Sequence, residues 1–368
     1  MPSAKSASLY GISRDNSSRH RGDLWGKNQF NSTFPLSLCL YMRDHGLRPV
    51  CLVVRGEEIS AHDDHWDMAE VIGESKTRPF YKFESVFEPY SSLSRNEVDK
   101  IDLVVASQDR HRIALEVKLT VVPDITTARS NESEWAPELV MRPVSSAYAM
   151  MGVATTLRKT QNSHHREKVI ELLRPAYNKI SDWNNEVEIK QNIRSLENAL
   201  LNTLHVAAEI QRPFLIQPIW RTEGQSLDLC EECFDVFVWS DVAIMKLPTY
   251  QLQKNPKSGR PMREVARHVR ALYDVLATGD FDYQNIYKGM SMKSQTDKSF
   301  SVSGKEIRKF MSHLRLKSPL ISRSKLRELI LNGGQNQLKP ERRFDAAVLW
   351  HMLPRRKSIQ RYASTSEE

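Results

Sequence analysis

The chain has little cysteine, little glycine and no long apolar run. Its 368 residues include four cysteines, Cys39, Cys51, Cys230 and Cys233. That is too few for a disulfide framework to stand in for a hydrophobic core. No apolar stretch approaches the roughly 18 residues that span a bilayer, and the one around Pro35–Met42 is too short. Met1–Arg21 is polar and rich in Ser and Arg, without the apolar centre of a secretory signal. The expectation is a cytoplasmic protein with no membrane association and a flexible basic arm over residues 1–22.

What is present is charge, unevenly placed. The whole chain carries a formal +8. From Lys246 onward, 25 Lys or Arg stand against 11 Asp or Glu, a net +14; the preceding residues hold 28 basic and 34 acidic groups, a net −6. An acidic body joined to a basic final third fits a catalytic unit with a polyanion-binding surface added to it. A solvated basic face is the bland alternative. About 40% of residues are hydrophobic, enough for one large or two modest domains at roughly 150 residues each.

Apolar periodicity is mixed. Pro35–Asp44 has helical spacing, and Arg48–Arg55 reads as a short strand bounded by Pro49 and Gly56. Ile101–Ala106 and Ile113–Val122 are β-branched and apolar, joined by the polar segment Ser107–Arg112, which predicts two antiparallel strands and a short loop. Ser145–Gln161 and Glu186–Gln211 read as helices; the second carries Ile189, Ile193, Leu196, Leu200, Leu204 and Ala207 at helical spacing. Phe214–Gln217 is strand-like, and Cys233–Ile244 alternates before another β-like run. Pro248–Pro261, with three prolines and Gly259, reads as a boundary. Arg263–Ala277, Lys305–Leu316 and Ser324–Leu331 read as helices beyond it. There is no internal repeat. The fold class is α/β or α+β, with a body over residues 23–247 and a basic, mainly helical region over 248–368.

The chemistry-bearing string is Asn96-Glu-Val-Asp-Lys-Ile-Asp102, followed by Ala114-Leu-Glu-Val-Lys-Leu-Thr120. Alternate strand residues share a face, so Ile113, Leu115, Val117 and Leu119 are expected to point into the core and Ala114, Glu116, Lys118 and Thr120 the other way. Glu116 and Lys118 would then project together from an otherwise apolar strand. Asp102, fourteen positions before Glu116, is likewise an acid among Ile101, Leu103, Val104 and Val105. If the loop is a hairpin, Asp102 lies across from Glu116 or Lys118. Burying charges is expensive unless they are paired or bind metal. Two carboxylates are hard oxygen ligands for Mg²⁺, which activates water and polarises a phosphoryl oxygen, while a neighbouring Lys balances the developing charge. Asp102, Glu116 and Lys118 are therefore the candidate catalytic residues, with Asp102 and Glu116 as metal ligands. A chance edge-strand salt bridge is the alternative.

Asp102 with Glu116-Val-Lys118 resembles the PD-(D/E)xK nucleases, although the leading Pro is absent and the first motif reads Lys100-Ile-Asp102. More narrowly, Glu116-Val-Lys-Leu-Thr-Val-Val-Pro-Asp124 and Glu138-Leu-Val-Met-Arg-Pro143 resemble the HindVP-type type II restriction endonucleases. The broader resemblance implies a restriction-endonuclease-like mixed central sheet flanked by helices, Mg²⁺ dependence and a homodimer acting on double-stranded DNA. The narrower one implies the palindrome GRCGYC and a cognate DNA methyltransferase as genetic partner in a restriction–modification system. A repair nuclease of the same superfamily and a non-catalytic DNA-binding protein are the competing functions. The latter has no need of a carboxylate pair beside phosphates.

Asp99 competes with Asp102 as a metal ligand, and Glu97 or Glu84 could add a third carboxylate from an upstream helix. Cys230-Glu-Glu-Cys233 is half a zinc site without its other half. His62-Asp-Asp-His65 reads as an exposed acidic loop, and His164-His165 as surface. For DNA contact, Lys254, Lys257, Arg260 and Arg263 lie in a segment expected to be flexible, suited to following phosphates. Lys305–Arg327 faintly suggests two helices and a turn.

Overall fold

The computed structural model describes residues 39–46 except 41, 50–62 except 56 and 57, 69, 72, 74, 80–107, 110–115, 139–211, 214–217, 238–290, 292 and 300–302. The described residues mix α and β, with helix predominant.

Among the described residues there are three small sheets, and each strand pair in them is antiparallel. In one, β1 (Val50–Arg55) is flanked by β2 (Glu58–His62) and by β7 (Phe214–Gln217), which pairs in turn with β8 (Val238–Trp239). The second sets β4 (Ile101–Ser107) between β3 (Phe80–Ser85) and β5 (Arg110–Leu115). In the third, β6 (Leu139–Met141) pairs with β9 (Phe300–Val302). The expected strands at Val50–Arg55, Ile101–Ala106 and Phe214–Gln217 are therefore present. The link between β4 and β5 is tighter than expected: Ser107 pairs with Arg110, and a register shift at Val105/Ala106 takes up the irregularity. Such a bulge raises the local twist and bends the strand.

Among the described residues, the helices with defined bounds are α1 (Glu88–Ser91), α2 (Pro143–Leu157), α3 (Ser163–Tyr177), α4 (Glu186–Ile210), α5 (Asp241–Lys254) and α6 (Gly259–Thr278), with a 3-10 turn at Thr160–Asn162 and a π-type turn at Gln284–Gly289. In α4, Asn185 caps the N-terminus by accepting from the amides of Val187 and Glu188. Its apolar stripe, Ile189 through Ala207, is buried as the spacing predicts. One core joins α2, α4, α5 and α6, and it takes in Ile101, Val104 and Ala114 from the second sheet.

Two expectations are corrected here. Pro248–Pro261 is not a boundary: Pro248 lies inside α5 and Pro261 inside α6, both buried. The core draws on both sides of residue 247, so the body takes in α5 and α6. The alternation read over Cys233–Ile244 gives way to α5, where Ser240 accepts the amide of Ala243 and starts the helix. The second correction concerns faces. Ala114 packs against the helical core instead of turning away from it. Both faces of β4 are covered, so apolar alternation could not tell them apart.

Candidate active site

Asp102 sits second in β4. Its neighbours Ile101, Leu103, Val104, Val105 and Ala106 are at most 2% exposed, whereas Asp102 is only partly buried. It is the one residue of residues 101–106 that reaches solvent. An acid carried by a strand whose other residues are buried is held at a fixed backbone position.

The register supplies the rest of the described geometry. Leu103 faces Leu115 and Val104 faces Ala114, so the described ladder ends one residue before Glu116. Glu116 and Lys118 lie outside the described residues. On the other side of β4, Phe83 faces Leu103 and Ser85 faces Ile101. Glu84 therefore occupies the register position of Asp102, on a strand and not on the upstream helix expected from sequence.

Asp99, the competing ligand, is engaged. The Tyr283 hydroxyl donates to its Oδ2 at 3.1 Å, and Lys288 Nζ lies 3.0 Å from both carboxylate oxygens. Its backbone carbonyl accepts from the Tyr148 hydroxyl at 3.1 Å. Tyr148, Tyr283 and Lys288 had no signal in the sequence, since Asp99 and Tyr283 lie 184 positions apart. Glu97 is exposed. Among the described residues, no three His, Cys, Asp or Glu side chains gather into a metal site.

The proposed DNA-contacting residues separate by burial. Lys254 ends α5, exposed, with its ammonium 5.6 Å from the Tyr250 ring centroid. Lys257 is exposed in the turn before α6. Arg260 is partly buried and Arg263 is 4% exposed. Burial, with Arg267 and Arg260 beside it, pushes the Arg263 guanidinium down to about 10. Arg263 is thus part of the helical core and not of a flexible basic segment. His164 and His165 lie on α3, with His165 Nε2 3.2 Å from Glu209 Oε2. Cys230, Cys233, His65 and Lys305–Arg327 lie outside the described residues.

Burial also shifts Asp241 and His268 in the core helices. The Asp241 carboxyl is enclosed against Gly152 and the Tyr90 hydroxyl, with Gln211 Nε2 3.4 Å away, and burial pushes it up to about 7. His268 on α6 is fully buried, its Nδ1 3.1 Å from the Tyr287 hydroxyl, and burial pushes it down to about 4.

Comparison with known proteins gives this geometry a context. The family model for HindVP restriction endonuclease matches residues 25–352, and the chain belongs to that family. It is an enzyme of the nuclease class. It is 31% identical over 345 residues to the type II restriction enzyme HgiDI of Herpetosiphon aurantiacus, covering 93% of this chain and 95% of that one. It is 32% identical over 345 residues to the probable type II restriction enzyme HindVP of Haemophilus influenzae, covering 92% of each. No solved structure matches. Divalent metal is the general requirement of type II restriction endonucleases. No helix of the described residues is long and apolar enough to cross a membrane.

Proposed function

We propose that the chain is a type II site-specific deoxyribonuclease that hydrolyses phosphodiester bonds of double-stranded DNA in a Mg²⁺-dependent reaction. Asp102 and Glu116 hold the ion and Lys118 assists the chemistry. The observation that carries this reading is Asp102 itself, the single accessible position in an otherwise buried stretch of strand, in a chain of this family. Carried one pair beyond Leu103 and Leu115, the β4–β5 register would set Glu116 opposite Asp102.

The donor set fits Mg²⁺: carboxylates are hard oxygen ligands, and few of them are needed because the ion keeps several waters. When bound, the ion supplies Lewis-acid polarisation of the phosphate and a lowered pKa for water. Asp102 and Glu116 would hold it. Lys118 donates to a phosphate oxygen and offsets the charge that builds there. The β3–β4–β5 sheet would belong to a restriction-endonuclease-type central sheet, with the active-site acid on its middle strand β4.

The wider reading is a homodimer cutting a short palindrome, GRCGYC by the resemblance to its family, within a restriction–modification system in the cytoplasm that includes a cognate methyltransferase. A two-fold protein suits a two-fold target, with one active site for each strand. Purified protein, Mg²⁺ and a sequenced plasmid, followed by mapping of the ends, test the reaction and its site. Asp102→Ala, Glu116→Ala and Lys118→Ala should each abolish cleavage and leave DNA binding in place. Cleavage by Glu116→Ala at the wild-type rate would sink the assignment.

A further inference from the structure

The lead into β4 is tied at several points to a segment nearly two hundred residues later. The Phe281 amide donates to the Leu93 carbonyl at 2.9 Å, and the Arg95 amide donates to the Phe281 carbonyl at 3.0 Å. These bonds form an isolated parallel bridge between Ser94 and Phe281. Arg95 Nε donates to Asp280 Oδ1 at 2.7 Å, and the Gln284 amide to Asn96 Oδ1 at 3.3 Å. Tyr283 and Lys288 then take the Asp99 carboxylate from two sides, and Tyr148 on α2 holds its carbonyl. Three residues further on is Asp102.

We propose that Tyr283, Asp99 and Lys288 form a positioning latch that sets the direction of the Asp102 carboxylate by fixing the start of β4. This rests on Asp102 being part of the active site. Three observations favour a positioning role over a ligand or stability role for Asp99. First, both its oxygens already accept hydrogen bonds, which leaves little room for a metal. Second, its side chain is 53% exposed and that of Lys288 40%, and exposed ion pairs contribute little to stability. Third, the Tyr283 donor cannot drift, because its ring is fully buried and stacked on Tyr287 with centroids 6.0 Å apart. Lys288 in turn lies 5.4 Å from the Tyr283 ring centroid, so the three side chains brace one another. A buried phenol, a carboxylate and an ammonium make a small rigid unit three residues from the acid that matters.

The test compares full-length Tyr283→Phe, Lys288→Met, Lys288→Arg, Asp99→Asn and Asp102→Ala. For each, the single-turnover cleavage rate is measured at saturating Mg²⁺, and DNA affinity and the thermal midpoint without metal. Amide exchange of residues 96–103 is followed in the metal-free protein. Tyr283→Phe, Lys288→Met and Asp99→Asn are expected to cut roughly 10–100-fold more slowly, the cost of a misplacement of about an ångström or less. DNA affinity and thermal midpoint stay at wild type, exchange over residues 96–103 quickens, and Lys288→Arg restores the rate. Lys288 is exposed, so its variants fold even if Tyr283→Phe does not. Wild-type rates in Tyr283→Phe and Lys288→Met beside an inactive Asp102→Ala overturn the latch and leave the active-site reading standing. So does a loss of rate that only tracks a loss of thermal midpoint. A raised Mg²⁺ requirement in Asp99→Asn that Lys288→Met does not share makes Asp99 a ligand and also overturns it. An active Asp102→Ala removes the reading on which the latch rests.

Discussion

Asp241 and His268 show how two buried ionisable residues can conceal each other. The Asp241 carboxyl is raised from its ordinary 3.8 to about 7 by burial, so the native state holds its proton longer than the unfolded chain. The stability this provides is complete below pH 3.8 and is lost as pH rises toward 7. His268 is lowered from 6.5 to about 4, again by burial, so the unfolded chain takes up its proton first. That stability is complete above pH 6.5 and is lost as pH falls toward 4. Between pH 4 and 6.5 the two slopes oppose one another. Asp241→Asn should therefore make stability rise more steeply with pH across that window than in the wild type, as read by denaturant midpoints at a series of pH values. An unchanged slope would mean that the Asp241 carboxyl titrates as it does in the unfolded chain. Gly152 belongs to the same site: a Cβ there would lie 1.9 Å from Asp241 Oδ2. Gly152→Ala should cost about 1–3 kcal/mol, and the double variant with Asp241→Ala should recover much of that loss in the same measurement.

Among the elements, legibility follows the number of faces each one buries. Helix α4 has one apolar stripe and one polar face, so Ile189 through Ala207 announce it. Helix α5 buries Val242 through Thr249 without a break, Lys246 and Thr249 included, and a segment buried on every side carries little period to distinguish helix from strand. Pro248 then suggests a stop where the chain continues. Strand β4 is legible as a strand because its residues are β-branched, and Asp102 stands out there by contrast with them. Its faces are not legible, because both are covered. Sequence places Glu84 on a helix, and only the register of β3 sets it level with Asp102. The partners of Asp99 leave no local trace, because long-range pairing is written in no short window. At this scale the metal prediction belongs to the β4–β5 hairpin. Cleavage should vanish in excess chelator and return with Mg²⁺ or Mn²⁺, while a zinc-selective chelator leaves it intact. Full activity in excess EDTA would refute the carboxylate site.

For the whole molecule, the charge split sets the expectation for binding. The residues before Lys246 are net −6 and the remainder +14, so the later part is expected to carry the attraction to DNA. Within its first basic segment, Lys254 and Lys257 are exposed and accessible to phosphates, whereas Arg263 is not. Lys254→Gln with Lys257→Gln should weaken binding to specific and random duplexes alike. For every phosphate left without its lysine, the log–log salt slope should fall by about 0.9. Fluorescence anisotropy at several salt concentrations checks this; an unchanged slope would move the DNA-binding face elsewhere. A base-reading Arg would instead lose roughly 1–3 kcal/mol on the cognate duplex alone. Light scattering with and without cognate DNA tests the dimer, and a strict monomer that nicks one strand would count against it.

The bridge between Ser94 and Phe281 bears on the timing of synthesis. Arg95 emerges from the ribosome 185 residues ahead of its partner Asp280. At about 5–20 residues per second, the lead into β4 waits roughly 10–40 s for the segment that braces it. A chain interrupted before Gly279 never receives that brace. A nuclease braced in this way would stay unarmed until most of its message has been read, and prematurely terminated copies would be poor cutters.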